Sequence, residues 1–280
     1  MIAPADLVVQ APALDARRLA DLARTTGAAA IVPVGLGTPH AYRLVGASQD
    51  AQSLAAAREA GFDAAVVPRT RRLQDVSVVA MDMDSTLITI ECIDEIADFK
   101  GIKAEVAAIT ESAMRGEIDF AQSLTRRVAL LAGLPVADLT QVYDERLRIS
   151  PGAERMLAAF KAAGAVTALV SGGFTFFTDR LKTRLKLDFT LANTFEVEDD
   201  RLTGRIEGDI VDAQAKARAI RELRARHPGL SVVMGDGAND LPMFAEADVS
   251  VAYRAKPVVR EKATHTIDVC GLDAVVNLFA

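Results

Sequence analysis

Asp82-Met83-Asp84-Ser85-Thr86 places two carboxylates two residues apart, directly after the apolar run Val76–Met81. If that run is a strand, alternation puts Asp82 and Asp84 on the same side, with Met83 opposite. Two like charges so close repel unless a cation or a proton lies between them. One carboxylate can attack phosphorus and form an aspartyl-phosphate. The second can protonate the leaving oxygen and later activate water. The pair could equally cap the turn after the strand. A second acidic strand end follows Ser231–Met234, in Gly235-Asp236-Gly237-Ala238-Asn239-Asp240. Its glycines allow a tight turn and close backbone approach. Its carboxylates suit Mg²⁺, which takes a few acidic oxygens together with water and phosphate. A plain β-to-α turn capped by Asn239 or Asp240 would read the same way.

Two more features can hold an anion. Ser171-Gly172-Gly173 follows the apolar run Val166–Val170 and precedes a helical pattern at Thr175–Leu185. A hydroxyl and free amides at a helix start bind phosphate, although a glycine-rich loop needs no ligand. Lys216 lies in a helical pattern over Asp212–Arg226. Such a lysine is ordinarily solvated, and only the other three features make it a phosphate ligand. Combined, they predict in-line attack by Asp82 on a phosphoryl group held between Ser171 and Lys216. One Mg²⁺ would bridge a phosphate oxygen, Asp82 and Asp236, with Asp84 adding its backbone carbonyl. The metal and Lys216 would neutralise charge on the transferring group.

The elements that must position these groups fall into two patterns. Strand candidates Leu7–Gln10, Ala28–Val34, Ala41–Val45 and Asp63–Val67 alternate with helices at Asp15–Thr25 and Asp50–Ala60. That β-α-β-β-α-β order is the ferredoxin-like split arrangement, expected over residues 1–70. A turn is expected at Gly35–Pro39. The basic stretch Pro68-Arg69-Thr70-Arg71-Arg72 reads as a linker. From residue 76 to 280 the pattern becomes α/β. Val76–Met81 reads as a strand buried on both faces of a parallel sheet, and only helical signals follow in residues 91–147. Strands resume at Val166–Val170, Phe189–Leu191, Ser231–Met234 and Asp248–Val251, with a hairpin at Glu196–Arg205 turning at Asp199-Asp200. The expected fold is a Rossmann-like, doubly wound parallel sheet with a helical cap inserted at about residues 88–150, and a small N-terminal α+β domain.

With four motifs in order, the chain resembles the haloacid dehalogenase superfamily of phosphatases. The motifs are Asp82–Thr86, Ser171, Lys216 and Gly235–Asp240. The likeness extends to the phosphoserine phosphatase family over residues 76–280. It is carried by Asp84–Glu95, Met114-Arg115-Gly116 with Phe120–Leu131, and Ser171-Gly172-Gly173-Phe174. The resemblance implies Mg²⁺-dependent hydrolysis of O-phosphoserine, the last step of serine biosynthesis, through an aspartyl-phosphate. It implies Asp82 as nucleophile, Asp84 as acid and base, and Asp82, Asp84 and Asp236 as the metal set with Asp240 beside it. Glu91 would receive the substrate ammonium, and Arg127 would clamp its carboxylate, bidentately if the geometry allows. Met114 and Phe120 would be apolar cap contacts, Ser171, Gly172 and Lys216 phosphate ligands, and Asn239 a polar lining residue. Without the resemblance, Glu91 is a helix-start glutamate and Arg127 a surface arginine. The N-terminal element order is similar to that of the ligand-binding ACT domain. Regulation by an amino acid, docking, and homodimerisation through that domain all stay open.

Composition narrows the class. The chain has 280 residues, with 32 basic and 38 acidic side chains and a net charge of −6, so neither nucleic acid nor an anionic membrane is an expected partner. No apolar run approaches the roughly 20 residues of a bilayer span, which excludes an ion pump using the same aspartyl chemistry. Met1–Gln10 carries Asp6 and no basic residue, unlike a secretory signal. Two cysteines, Cys92 and Cys270, make no disulfide framework, and a cytoplasmic protein is expected. Two rival functions use the same chemistry: a phosphotransferase with an acceptor other than water, and a receiver-like module phosphorylated on aspartate. The cap and the second aspartate argue against the receiver.

Overall fold

The computed structural model describes residues 4–35 and 40–279. Leu36–Pro39, the greater part of the expected turn, lies outside them. The N-terminal unit contains β1 (Ala5–Gln10), α1 (Ala16–Thr25), β2 (Ala30–Val34), β3 (Ala41–Val45), α2 (Ala51–Glu59) and β4 (Asp63–Pro68). All its pairings are antiparallel, in the order β2-β3-β1-β4. Asp15 and Asp50 cap the two helices by accepting hydrogen bonds from backbone N–H groups, which satisfies donors otherwise left unpaired at a helix start. Both helices lie on one face of the sheet, over a core of Leu7, Val9, Leu19, Leu22, Leu44 and Phe62. The other face is also covered. Val8, Ala65 and Val67 belong to the same apolar cluster as the rest of the molecule.

The larger unit begins at β5 (Val76–Met81). The helices α3 (Cys92–Lys100), α4 (Lys103–Met114), α5 (Phe120–Ala129) and α6 (Val136–Glu145) follow, then α7 (Ala153–Ala162). Next come β6 (Val166–Phe174), α8 (Thr175–Leu185), β7 (Phe189–Glu198), β8 (Arg201–Glu207), α9 (Ala213–Arg226) and β9 (Leu230–Gly235). The chain closes with α10 (Leu241–Ala245), β10 (Val249–Tyr253), α11 (Pro257–Arg260), β11 (His265–Ile267) and a 3₁₀ segment, Leu272–Phe279. The sheet order is β11-β10-β9-β5-β6-β7-β8. Every pairing is parallel except β7 with β8, the hairpin turning at Asp199 and Asp200, both with positive φ. Alternation along β5 divides the core. Val79 and Met81 pack with Met156, Phe160 and Phe177 on one face, while Val78 and Ala80 pack with Ile220, Leu223 and Met243 on the other. This is an α/β sheet wound on both faces, with α3–α6 inserted after its first strand.

Two expectations change. β6 does not stop at Val170 but runs on through Ser171-Gly172-Gly173 to Phe174, with a register shift against β7. Glycine favoured a loop in the reading, whereas pairing resumes at Phe174 opposite Asn193, and the Asn193 side-chain amide donates to Gly172 O at 2.8 Å across the irregular stretch. The basic stretch after β4 is also pinned in place. Arg69 makes two hydrogen bonds to the buried Asp6 carboxylate at 2.8 Å, and Arg71 lies 2.9 Å from His265 Nε2.

Candidate active site

The strand order decides the site. β5 lies between β9 and β6, so residues at or near their carboxyl ends converge: Asp82 just after β5, Asp236 just after β9 and Ser171 within the last residues of β6. Ligands of open parallel sheets bind at such ends, where neighbouring connections diverge. After Asp82 the chain makes one tight turn, with Ser85 at a positive φ of 53°. That is an uncommon conformation for a residue with a β-carbon. The turn carries Ser85 Oγ to within 2.6 Å of Glu91 Oε1 and leaves Asp84 beside Gly173. A β-carbon on Gly173 would stand 2.6 Å from Met83 Cε and 3.3 Å from Asp84 Oδ2, so a side chain here would displace the Met83 methyl and press on Asp84.

Asp82 is buried at the floor. Its carboxylate accepts from Met83 N at 2.7 Å, and its Oδ2 lies 2.7 Å from Lys216 Nζ and 3.4 Å from Asn239 Nδ2. Lys216, only 1% exposed, also contacts Asp240 Oδ1 at 2.9 Å. Burial works against its charge, but Asp82 and Asp240 outweigh burial and hold the ammonium above its ordinary range. Asp82, Asp236 and Asp240 each offer a carboxylate oxygen within 4.8 Å of the others. Burial, then the charge of Asp82, pushes Asp236 up to about 6 and Asp240 up to about 7. Such a set of oxygens, short of positive charge, suits a hard divalent cation. Asp84 stands outside this carboxylate group. Burial first, then Glu91 and Asp82, push its carboxyl well above the usual range.

Side chains at the start of α3 and from α4 and α5 line a cavity of about 360 Å³ over this floor. Its lining includes Asp82, Asp84, Glu91, Met114, Phe120, Arg127, Ser171, Gly172, Asp236 and Asn239, with Lys216 buried beneath. The geometry therefore gathers every expected site residue around one space. Phe120 seats the cap on the core, since a β-carbon at Gly172 would lie 3.1 Å from its ring. Glu91, at the start of α3, is raised by burial and by the charge of Asp82. Arg127, from α5, has a buried Nε with no hydrogen-bond partner among the described residues, and burial lowers its pKa. A desolvated cation left unpaired is costly unless a ligand completes it.

A family model described as haloacid dehalogenase-like hydrolase matches residues 79–245, and a second of the same description matches 213–279. This chain belongs to the haloacid dehalogenase-like hydrolases. It is 54% identical over 215 residues to a phosphoserine phosphatase of Polaromonas sp., covering 74% of this chain and 91% of the relative. It is also similar to the unliganded crystal structure of a probable phosphoserine phosphatase from Vibrio cholerae. That likeness has a TM-score of 0.85 at 35% identity, over 98% of this chain and 86% of the other. A substrate-bound phosphoserine phosphatase structure matches with a TM-score of 0.68 at 36% identity, over 73% of this chain and 99% of the other.

Two lining residues of this hydrolase escaped the sequence reading. Lys256, at the start of α11, reaches the cavity, and its charge favours the ionised forms of Glu91 and Asp236. Its backbone N–H donates to the Asp236 carbonyl at 3.1 Å. The usable signal was its place just after the strand that neighbours β9. Ser123 lines the cavity one helical turn before Arg127, and nothing in its type or spacing marked it. Cys92 is buried beside Asp84, and burial raises its thiol well above the ordinary value, so it is a packed thiol rather than a nucleophile.

Proposed function

We propose that this hydrolase removes phosphate from O-phosphoserine. The observation that carries the reading is the trio of recognition groups around the nucleophile: the Arg127 Nε buried without a partner, the Glu91 carboxylate, and the anion-holding Ser171 and Lys216. A substrate with a carboxylate, an ammonium and a phosphate matches all three. The relatives named phosphoserine phosphatase support the same substrate.

In the proposed reaction an Asp82 carboxylate oxygen attacks phosphorus in line. The phosphorus–oxygen bond to serine breaks, and the Asp84 carboxyl gives its proton to the departing oxygen. Asp84, now ionised, takes a proton from water as that water attacks the aspartyl-phosphate. Phosphate leaves and Asp82 is restored. Lys216 holds Asp82 and Asp240 in place, and the extended Ser171-Gly172-Gly173 backbone offers amides to the phosphoryl oxygens. Asp82, Asp236 and Asp240, with the backbone carbonyl of Asp84, are the residues suited to hold Mg²⁺. When bound there, the ion supplies charge neutralisation on the phosphoryl group. Met114 and Phe120 cover the substrate and exclude water, and Asn239 positions the Asp82 carboxylate.

The proposed division of the chain is an N-terminal domain over residues 1–70 and a phosphatase domain over 76–280, with the cap at about 88–150. The strand order β2-β3-β1-β4 supports reading the first as ferredoxin-like and ACT-like. Ile31 and Val32, exposed on its edge strand, suit a homodimer contact. Among the described residues no helix is long and apolar enough to cross a membrane. The test is phosphate release from a panel of phosphorylated metabolites with Mg²⁺. Phosphoserine should be the best substrate and Asp82→Asn should be inactive. Preference for a phosphate lacking the ammonium or carboxylate would refute the roles of Glu91 and Arg127.

A further inference from the structure

Three hydroxyl side chains line the cavity, and two are already engaged within the protein. Thr110 Oγ1 donates to Val106 O at 3.1 Å, and Ser171 Oγ accepts from Gly173 N at 2.9 Å. Ser123 is different. It is 2% exposed and lines the cavity, yet its hydroxyl has no hydrogen-bond partner among the described residues. Its oxygen is open to the cavity rather than packed against protein. In a helix the usual recourse is the carbonyl four residues back, as Thr110 does; Ser123 does not take it. Its place on α5 says what it could serve. Ser123 and Arg127 are four residues apart, on one face of the helix. On the same face, Arg127 has a buried Nε without a partner among the described residues.

The helix also acts as a ruler. Phe120 abuts Gly172 beside the anion-holding Ser171. Ser123 lies about 5 Å and Arg127 about 10 Å farther along the axis, at roughly 1.5 Å of rise per residue. The ammonium-receiving Glu91 comes from a different element, at the start of α3.

We infer that the Ser123 hydroxyl, together with Arg127, forms the seat for the substrate carboxylate, and so sets the preference for substrates that carry one. This rests on the phosphoserine reading above. The hydroxyl donates to one carboxylate oxygen while the guanidinium holds the other. Hydrogen bonds to charged groups are the stronger kind, so the contact makes this serine a specificity-determining residue.

The experiment compares wild type with Ser123→Ala. It measures kcat and KM for O-phosphoserine, and the inhibition constant of O-phosphoethanolamine, which is the same molecule without the carboxylate. Alanine is the better helix former and removes one oxygen, so the variant should melt no lower than wild type. KM for phosphoserine should rise about tenfold, the equivalent of one such hydrogen bond, while kcat falls less than threefold. The inhibition constant of phosphoethanolamine should move less than twofold. An unchanged KM overturns the inference. So does an equal weakening of both ligands, which would assign the hydroxyl to the ammonium or the phosphate. If wild type itself does not hydrolyse phosphoserine, the substrate reading fails rather than the assignment of Ser123.

Discussion

Asp63 opens β4 at 4% exposure, and its carboxylate accepts from three successive backbone N–H groups of the C-terminal region. These come from Asp268 at 2.7 Å, Val269 at 3.2 Å and Cys270 at 2.8 Å. The contact joins the N-terminal sheet to the segment after β11. Replacing Asp63 with alanine removes the acceptor from all three donors at once. Water can reach the first two, because Asp268 is half-buried and Val269 is exposed, but the third stays buried with Cys270. Each of the two donors that water can reach loses the net value of a hydrogen bond, about 1 kcal/mol, and the buried unsatisfied donor costs about 1–3 kcal/mol, so the total is about 3–5 kcal/mol. Unfolding entropy near 2.1 cal/mol/K per residue gives roughly 0.6 kcal/mol/K for this chain, and a melting temperature lower by about 5–8 °C. Asp63→Asn keeps one oxygen but turns an amide toward a donor, and should lose about half as much. Calorimetry of the two variants beside wild type is the assay. Asp63→Ala melting within 1 °C of wild type would refute the idea that this carboxylate clamps the two units together.

Other consequences concern charge and the cap. Asp236 is raised to about 6, so the stability this carboxyl allows is present below its unfolded value near 4 and is lost as pH rises through 6. At pH 7 that loss is about 3 kcal/mol in metal-free protein. Asp236→Asn should therefore raise the metal-free melting temperature at pH 7 while abolishing the further rise that Mg²⁺ gives wild type; a lower melting point would contradict this. His265 is lowered to about 4 by burial and by Arg71. Its contribution is full above 6.5 and drops by about 3 kcal/mol as pH falls from 6.5 to 4. His265→Gln, titrated by denaturant melts, should remove that slope; a slope unchanged in the variant would rule the histidine out as its source. Gly172→Ala puts a methyl 3.1 Å from the Phe120 ring. Steady-state kinetics should show a severalfold higher KM and lower kcat, with the melting temperature within about 2 °C of wild type, since cap closure rather than folding is obstructed.

The chemistry was legible because it is local. Asp82 and Asp84 sit two residues apart after an unbroken apolar strand, and Gly235–Asp240 repeats the acidic strand end. Both depend on backbone alternation and turn geometry, which neighbours in sequence control. The helical and strand periods located the helices inserted after β5 and nearly every element before them, since amphipathic patterns record which face is covered. The extension of β6 through Ser171–Phe174 was not legible, because it depends on β7, where pairing resumes at Phe174 and Asn193 holds Gly172 O. β11, three residues long, and the segment Leu272–Phe279 have too little periodic signal to read.

What only the tertiary structure decided is adjacency across the chain. It set β5 between β9 and β6, brought Lys216 onto Asp82 and Asp240, and turned Lys256 and Ser123 toward the same cavity. It also raised the Asp84 carboxyl and lowered His265, because a proton's affinity depends on burial and on charges that arrive from distant segments. Residue type and spacing determined which groups could react. Burial and the strand order determined which of them meet, and which hold a proton when they do.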